Sequence, residues 1–234
     1  GMAYDLTGDG KTSLRLGAGV GYDRLFNNVF ENVRFNPPFN AFQSFFGPAF
    51  GGDPIPLTVP ASVPGDFNAG AASTRWMDPY LRTSYATNAF AGIQREVWKN
   101  TKVEVNYAGS FGRKLPRIEQ LNRFSGDLLD GGLTRLTPNM STANFRANSV
   151  NSTYHSMQFQ IQQRYFRGLS YQASYTWADL EDTNDSDVFG FNGDDIYSVT
   201  IEQQAAERGP SSGEIKHRFV GSVSYELPWL KEAG

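Results

Sequence analysis

Seven carboxylates crowd one stretch late in the chain: Asp179, Glu181, Asp182, Asp185, Asp187, Asp194 and Asp195. Carboxylate oxygens at that density suit Ca²⁺, a hard cation bound by oxygen ligands. No loop with the glycine and terminal glutamate of a calcium-binding hand can be aligned here, so a solvated acidic loop is the plainer reading. His155 and His217 are the only histidines, each near the outer end of a predicted strand. Imidazoles beside carboxylates could serve a metal or an acid–base site, but nothing in the spacing joins them, and interfacial polar residues are the better expectation. Gly17, Gly19 and Gly21 superficially suggest a nucleotide loop. That fingerprint is G-x-G-x-x-G between a strand and a helix, whereas these glycines alternate inside one strand and leave room on one of its faces. Phe39, Phe42, Phe45, Phe46 and Phe50, with Trp76, could form an aromatic platform for an oligosaccharide or peptide, although packing of that loop on itself is the simpler account. No nucleophile–base–acid order or carboxylate pair stands above the background of 24 acidic residues, and cysteine is absent. The chain reads as a non-enzyme with no catalytic residue, no metal site and no cofactor, and its ligand-binding residues are not identifiable from sequence.

The elements that would position these residues are strands. Val103, Val105 and Tyr107 alternate with Lys102, Glu104 and Asn106; Met157, Phe159 and Ile161 alternate with Gln158, Gln160 and Gln162; Leu169, Tyr171, Ala173, Tyr175 and Trp177 alternate with Ser170, Gln172, Ser174 and Thr176. A period of two marks strands with one apolar and one polar face. About seven are expected: Met2 to Leu6, Ser13 to Tyr22, Tyr85 to Val97, Thr101 to Phe111, a strand through Ser156 to Tyr165, Leu169 to Trp177, and His217 to Leu227. They form one contiguous antiparallel curved sheet.

Two kinds of connection join them. Thr7-Gly8-Asp9-Gly10-Lys11, Lys99-Asn100 and Phe166-Arg167-Gly168 are tight, and Asp-Gly supplies the left-handed conformations of a short hairpin. The others are long: some sixty residues after Tyr22, a second loop to about Ser152, and a third from about Asp179 to Glu214. Short turns at one end and long loops at the other are the pattern of an outer-membrane β-barrel, and loops this long count against a compact soluble domain. Aromatics make up 14% of the chain and fall into two bands, Trp98, Tyr165, Phe166 and Trp229 near the short turns, and Tyr22, Tyr85, Tyr107, Tyr154 and Trp177 toward the long loops. Such bands fit the two interfacial girdles of a barrel. Lipid is then expected against Leu14, Leu16, Val20, Ile93, Val103, Val105, Phe159, Ile161, Tyr171 and Val223, and the lumen against Arg15, Gln94, Glu104, Gln158, Gln160, Gln162 and Gln172.

Bulk properties agree. Mean hydropathy is −0.45, and no apolar run approaches the ~18 residues of a membrane helix, yet strands that bury every second residue look hydrophilic on average. A net charge of −3 over 234 residues gives no basic surface for nucleic acid. The chain starts in what reads as the end of a strand and trails off just after one, so both ends read as cuts through a larger protein.

Specific stretches carry a family resemblance. Tyr4-Asp5-Leu6-Thr7-Gly8-Asp9-Gly10-Lys11-Thr12 followed by Gly17-Ala18-Gly19-Val20-Gly21-Tyr22-Asp23-Arg24 resembles a barrel segment of Oar-like TonB-dependent receptors. Gly92-Ile93-Gln94-Arg95-Glu96-Val97-Trp98-Lys99-Asn100-Thr101, Val105-Asn106-Tyr107-Ala108-Gly109-Ser110 and Tyr154-His155-Ser156-Met157-Gln158 match in the same order. So do the stretch from Arg167 to Trp177, His217-Arg218-Phe219-Val220 and Tyr225-Glu226-Leu227-Pro228. The matches touch every predicted strand, while the loops between them are idiosyncratic. The resemblance implies an outer-membrane receptor whose barrel encloses a plug domain, with partners in outer-membrane lipid, an extracellular ligand and the TonB system that drives import. Barrels of that class have about 22 strands, so residues 1–234 would be one partial barrel domain, roughly a third of the whole. Plug, TonB-contacting segment and closing carboxy-terminal strand are not in it. A passive porin, and a non-transporting surface adhesion or carbohydrate-binding β protein, are the alternatives.

Overall fold

The computed structural model describes residues 1–24, 31–36, 72–122, 124–125, 134–183 and 208–227. Its strands are β1 (Met2–Asp5), β2 (Thr12–Tyr22), β3 (Ala72–Met77), β4 (Tyr85–Trp98), β5 (Thr101–Gln120), β6 (Phe124–Ser125), β7 (Thr134–Arg135), β8 (Met140–Phe166), β9 (Leu169–Asp182), β10 (Gly209–Pro210) and β11 (His217–Tyr225). A 3-10 turn spans Asn32–Phe35. The protein is all-β: one nine-stranded sheet runs β1-β2-β4-β5-β8-β9, with β10 and β11 both on the far edge of β9 and β3 on β8, and β6 and β7 form a separate pair. All seven expected strands are present, and each pairs antiparallel with its neighbours in that sheet.

Each short turn has a local chemical cause. After β1, the Asp5 carboxylate accepts the amides of Thr7 at 3.2 Å and Gly10 at 2.8 Å, and Asp9 accepts the amide of Lys11 at 3.0 Å. Gly8 and Gly10 take φ of 71° and 72°, values that cost an L-residue energy and glycine nothing. Hydrogen bonds from the Thr7 hydroxyl and then the Lys11 amide hold the Asp9 carboxyl below its ordinary value. Between β8 and β9, Arg167 and Gly168 have consecutive positive φ of 51° and 84°, the signature of a type I′ hairpin turn.

Register segregates the faces. Leu14, Ile93, Val105, Phe159, Tyr175 and Phe219 stand in one row across six strands. The next row along, on the other face, is Ser13, Gln94, Glu104, Gln160, Ser174 and Val220. Every position expected against lipid falls on the first face and every position expected against the lumen on the second. The polar face is knitted by Arg15, which donates to Gln94 Oε1 at 3.1 Å and Glu104 Oε1 at 2.7 Å, and by Asn106, which donates to the same Glu104 oxygen at 2.9 Å. Among the described residues no protein packs against the apolar face: Phe159 is 46% exposed, Phe219 71% and Val223 73%. The buried apolar side chains among the described residues are only Ala143, Ala147, Val150 and Ala178. A sheet with this little core and this much exposed apolar surface needs an apolar solvent on one side.

Two sequence expectations are corrected. The second long loop is not a loop from Phe111 to Ser152: β5 continues to Gln120 and β8 begins at Met140. The alternation is hidden there because the ladder shifts register on both sides of Leu115 and Lys114 adopts φ of 54°. The seven expected strands are antiparallel as expected, and a further strand that the sequence did not offer, β3, runs parallel to β8. A strand delivered by a long connection has no hairpin to impose its direction. Finally, Tyr154 is in register with Ser110 and shares the polar face, so it does not belong with Tyr22, Tyr85, Tyr107 and Trp177 in an outer aromatic band. Trp98 does reach the apolar face, because the irregularity between Glu96 and Trp98 brings it opposite Thr101.

Candidate functional site

The eleven residues from Thr101 to Phe111 rise roughly 35 Å along the strand at ~3.3 Å each, enough for a tilted crossing of a bilayer core. β5 and β8 go on well past that length, and β8 is 27 residues long. The surplus forms an outer sheet at the long-loop end, built from β3, the last third of β5 and the first third of β8.

Here the chain packs side chains against one another. Asn122, 4% exposed, is the hub of the turn that follows β5. Its amide nitrogen donates to the carbonyls of Thr137 at 3.0 Å, Met140 at 2.8 Å and Ser141 at 2.9 Å, while its Oδ1 accepts the amide of Thr137 at 2.7 Å. Gln120 reinforces it: Oε1 accepts the amides of Ala143 at 2.6 Å and Asn122 at 3.1 Å, and Nε2 donates to Asn144 Oδ1 at 3.0 Å. Asn36 dresses the edge of β3 like a short strand, its carboxamide accepting from Arg75 N and donating to Arg75 O, both at 2.7 Å.

The outer sheet is basic although the whole chain is acidic. Residues 72–84, 112–122 and 134–152 carry Arg75, Arg82, Arg113, Lys114, Arg117, Arg135 and Arg146 against Asp78 and Glu119. Arg146 is among the most enclosed, at 7% exposure, with Met77 and Ile118 in register on either side. Burial first, and the like charge of Arg75 second, pull its guanidinium below its ordinary value.

The sequence candidates fall elsewhere. His155 and His217 are not brought together: the Nδ1 of His155 bonds Tyr107 Oη at 2.7 Å, and that of His217 bonds Tyr175 Oη at 2.8 Å, both pairs on the apolar face. Asp179 and Glu181 face cations, Lys216 at 4.0 Å and Arg208 at 2.5 Å, while Asp185, Asp187, Asp194 and Asp195 lie outside the described residues. Gly17 and Gly19 help line a shallow hollow of about 300 Å³ with Asn88, Phe90, Ser110 and Tyr154, an open space on the polar face. Trp76, 53% exposed, is in register with Phe145, and Phe39, Phe42, Phe45, Phe46 and Phe50 lie outside the described residues. Missed altogether were Asn122 and the Arg75–Arg146 neighbourhood. A faint signal existed in the alternation of Ala143, Phe145 and Ala147 with Asn144, Arg146 and Asn148.

The model of the outer membrane beta barrel domain family matches residues 1–234. The chain belongs to the outer-membrane β-barrel domain family. For a member of this family the apolar face is the lipid face, the polar face is the lumen side and the location is the outer membrane. No curated protein matches. Among solved structures, the outer membrane transporter YddB from Escherichia coli is similar with a TM-score of 0.45 and 11% identity over 77% of this chain. This β-barrel chain spans 19% of the length of that transporter.

Proposed function

We propose that this barrel chain is part of a TonB-dependent outer-membrane receptor that binds a ligand at its extracellular side and imports it with energy from the inner membrane. What supports the reading most is the ordered series of Oar-like stretches, which touches each of the seven expected strands while leaving the long connections free to differ. The architecture is compatible with it: among the described residues β1 and β11 each pair on one side only, and such edges invite further strands of a larger barrel. The hollow over Gly17 and Gly19 leaves room on the lumen side for a plug. Lipid, the plug, the TonB system and an extracellular ligand are the partners that this reading entails.

Energised import and passive permeation differ in one respect. Cells with and without the gene, fed labelled medium components, should differ in accumulating at least one of them, and a protonophore should abolish that difference. Gene-dependent accumulation that survives loss of the proton gradient contradicts the receptor reading and favours a porin. The absence of any gene-dependent accumulation favours a surface adhesin.

A further inference from the structure

Arg75 and Arg146 lie on one face of the outer sheet, one row apart, since Met77 pairs with Arg146 and Arg75 with Asn144. Neither guanidinium makes a hydrogen bond or ion pair among the described residues, and Nη1 of Arg146 is shut off from solvent. Asn144, between them, has its carbonyl oxygen taken by Gln120 Nε2 at 3.0 Å, which leaves its amide nitrogen as a donor. The nearby carboxylate of Glu119 belongs to the opposite face, in register with Phe145. The cluster therefore offers donors, two of them charged, and no acceptor. A buried guanidinium without a counter-charge is costly to keep. Its planar fork is satisfied by the paired oxygens of a carboxylate or phosphate.

We propose that Arg75, Arg146 and Asn144 bind a carboxylate or phosphate group of a water-soluble ligand arriving at the outer sheet. This deepens the receptor reading by naming the chemical class of its ligand, and it rests on that reading for the ligand's later import. Outer-leaflet lipid is the other source of phosphate, but the geometry disfavours it. Arg146 lies eleven residues along β8 from Met157, the partner of Trp177 in the outer aromatic band, which is roughly 35 Å of strand above the headgroups.

The test is the heat-unfolding midpoint of the intact protein in detergent freed of lipopolysaccharide, titrated with sodium phosphate and with sodium citrate at constant ionic strength. The expected result is a saturating rise in midpoint that R75Q and R146Q lose and the exposed-site control R82Q keeps. R146M, which retains bulk but not charge, should unfold at a higher temperature than wild type without anion and lose that advantage in saturating anion. No shift, or an equal shift in wild type, R75Q and R146M, would overturn the site. A response to added lipopolysaccharide but to neither soluble anion would overturn it too, by assigning the pair to lipid. Gradient-dependent uptake without any anion effect would remove this site and leave the receptor standing. The reverse combination would keep the site and remove the receptor.

Discussion

Phe159→Arg should cripple insertion of the barrel while Gln160→Arg is tolerated, although the two residues are neighbours in the chain. Phe159 sits in the middle of the apolar row between Val105 and Tyr175, with its ring 6.4 Å from that of Tyr175. A guanidinium there faces hydrocarbon at the depth where it is most costly, ~2–4 kcal/mol for a lipid-facing Arg near the midplane. Gln160 stands between Glu104 and Ser174 on the polar face, where an added cation gains a carboxylate neighbour. The amount of heat-modifiable, protease-resistant barrel in outer-membrane fractions reads the difference. Loss in the first variant and near-normal levels in the second are expected, and equal behaviour would mean that the faces are reversed or that neither meets lipid.

Asn122→Leu should loosen the outer sheet and leave the membrane strands intact. The substitution keeps approximate volume but removes donors to the carbonyls of Thr137, Met140 and Ser141 and the acceptor for the Thr137 amide. Buried groups left without partners cost about 1–3 kcal/mol each, so even partial compensation leaves a local penalty of roughly 3 kcal/mol. Hydrogen exchange at the Thr137 amide should accelerate by about a hundredfold, since each 1.4 kcal/mol is worth a factor of ten. Exchange across Val103–Tyr107 should be unchanged. Unaltered protection at Thr137 would show that the turn is held by something other than Asn122.

What could be read from sequence was the part where one face must be apolar. Leu14, Val105 and Phe159 repeat at period two because lipid rewards every second residue, and a slip of one would invert every face. Gly168 was legible because a two-residue turn needs positive φ. The outer sheet was not, for the opposite reason: with protein or water on both faces, Asn144, Arg146 and Asn148 need not contrast strongly with Ala143, Phe145 and Ala147. Lys114 and Pro116 interrupt the pattern just where β5 leaves the membrane. Arg75 and Arg146 are 71 positions apart, and a parallel pairing across a long connection brings them together, a contact with no local trace. Trp98 shows the finer limit, since one irregularity beyond Glu96 moves it to the face that simple alternation denies it.

The central claim is that one face of this sheet meets lipid and the other water, residue by residue. The chain has no cysteine, so single cysteines at successive positions from Met157 to Gln162 can each carry a nitroxide spin label in the intact protein reconstituted in bilayers. Collision rates with oxygen, which concentrates in hydrocarbon, should be high at 157, 159 and 161. Rates with a water-soluble nickel chelate should be low there and relatively raised at 158, 160 and 162. Two profiles of period two, opposite in phase, are the predicted result; profiles without alternation, or with the phases exchanged, would contradict the account.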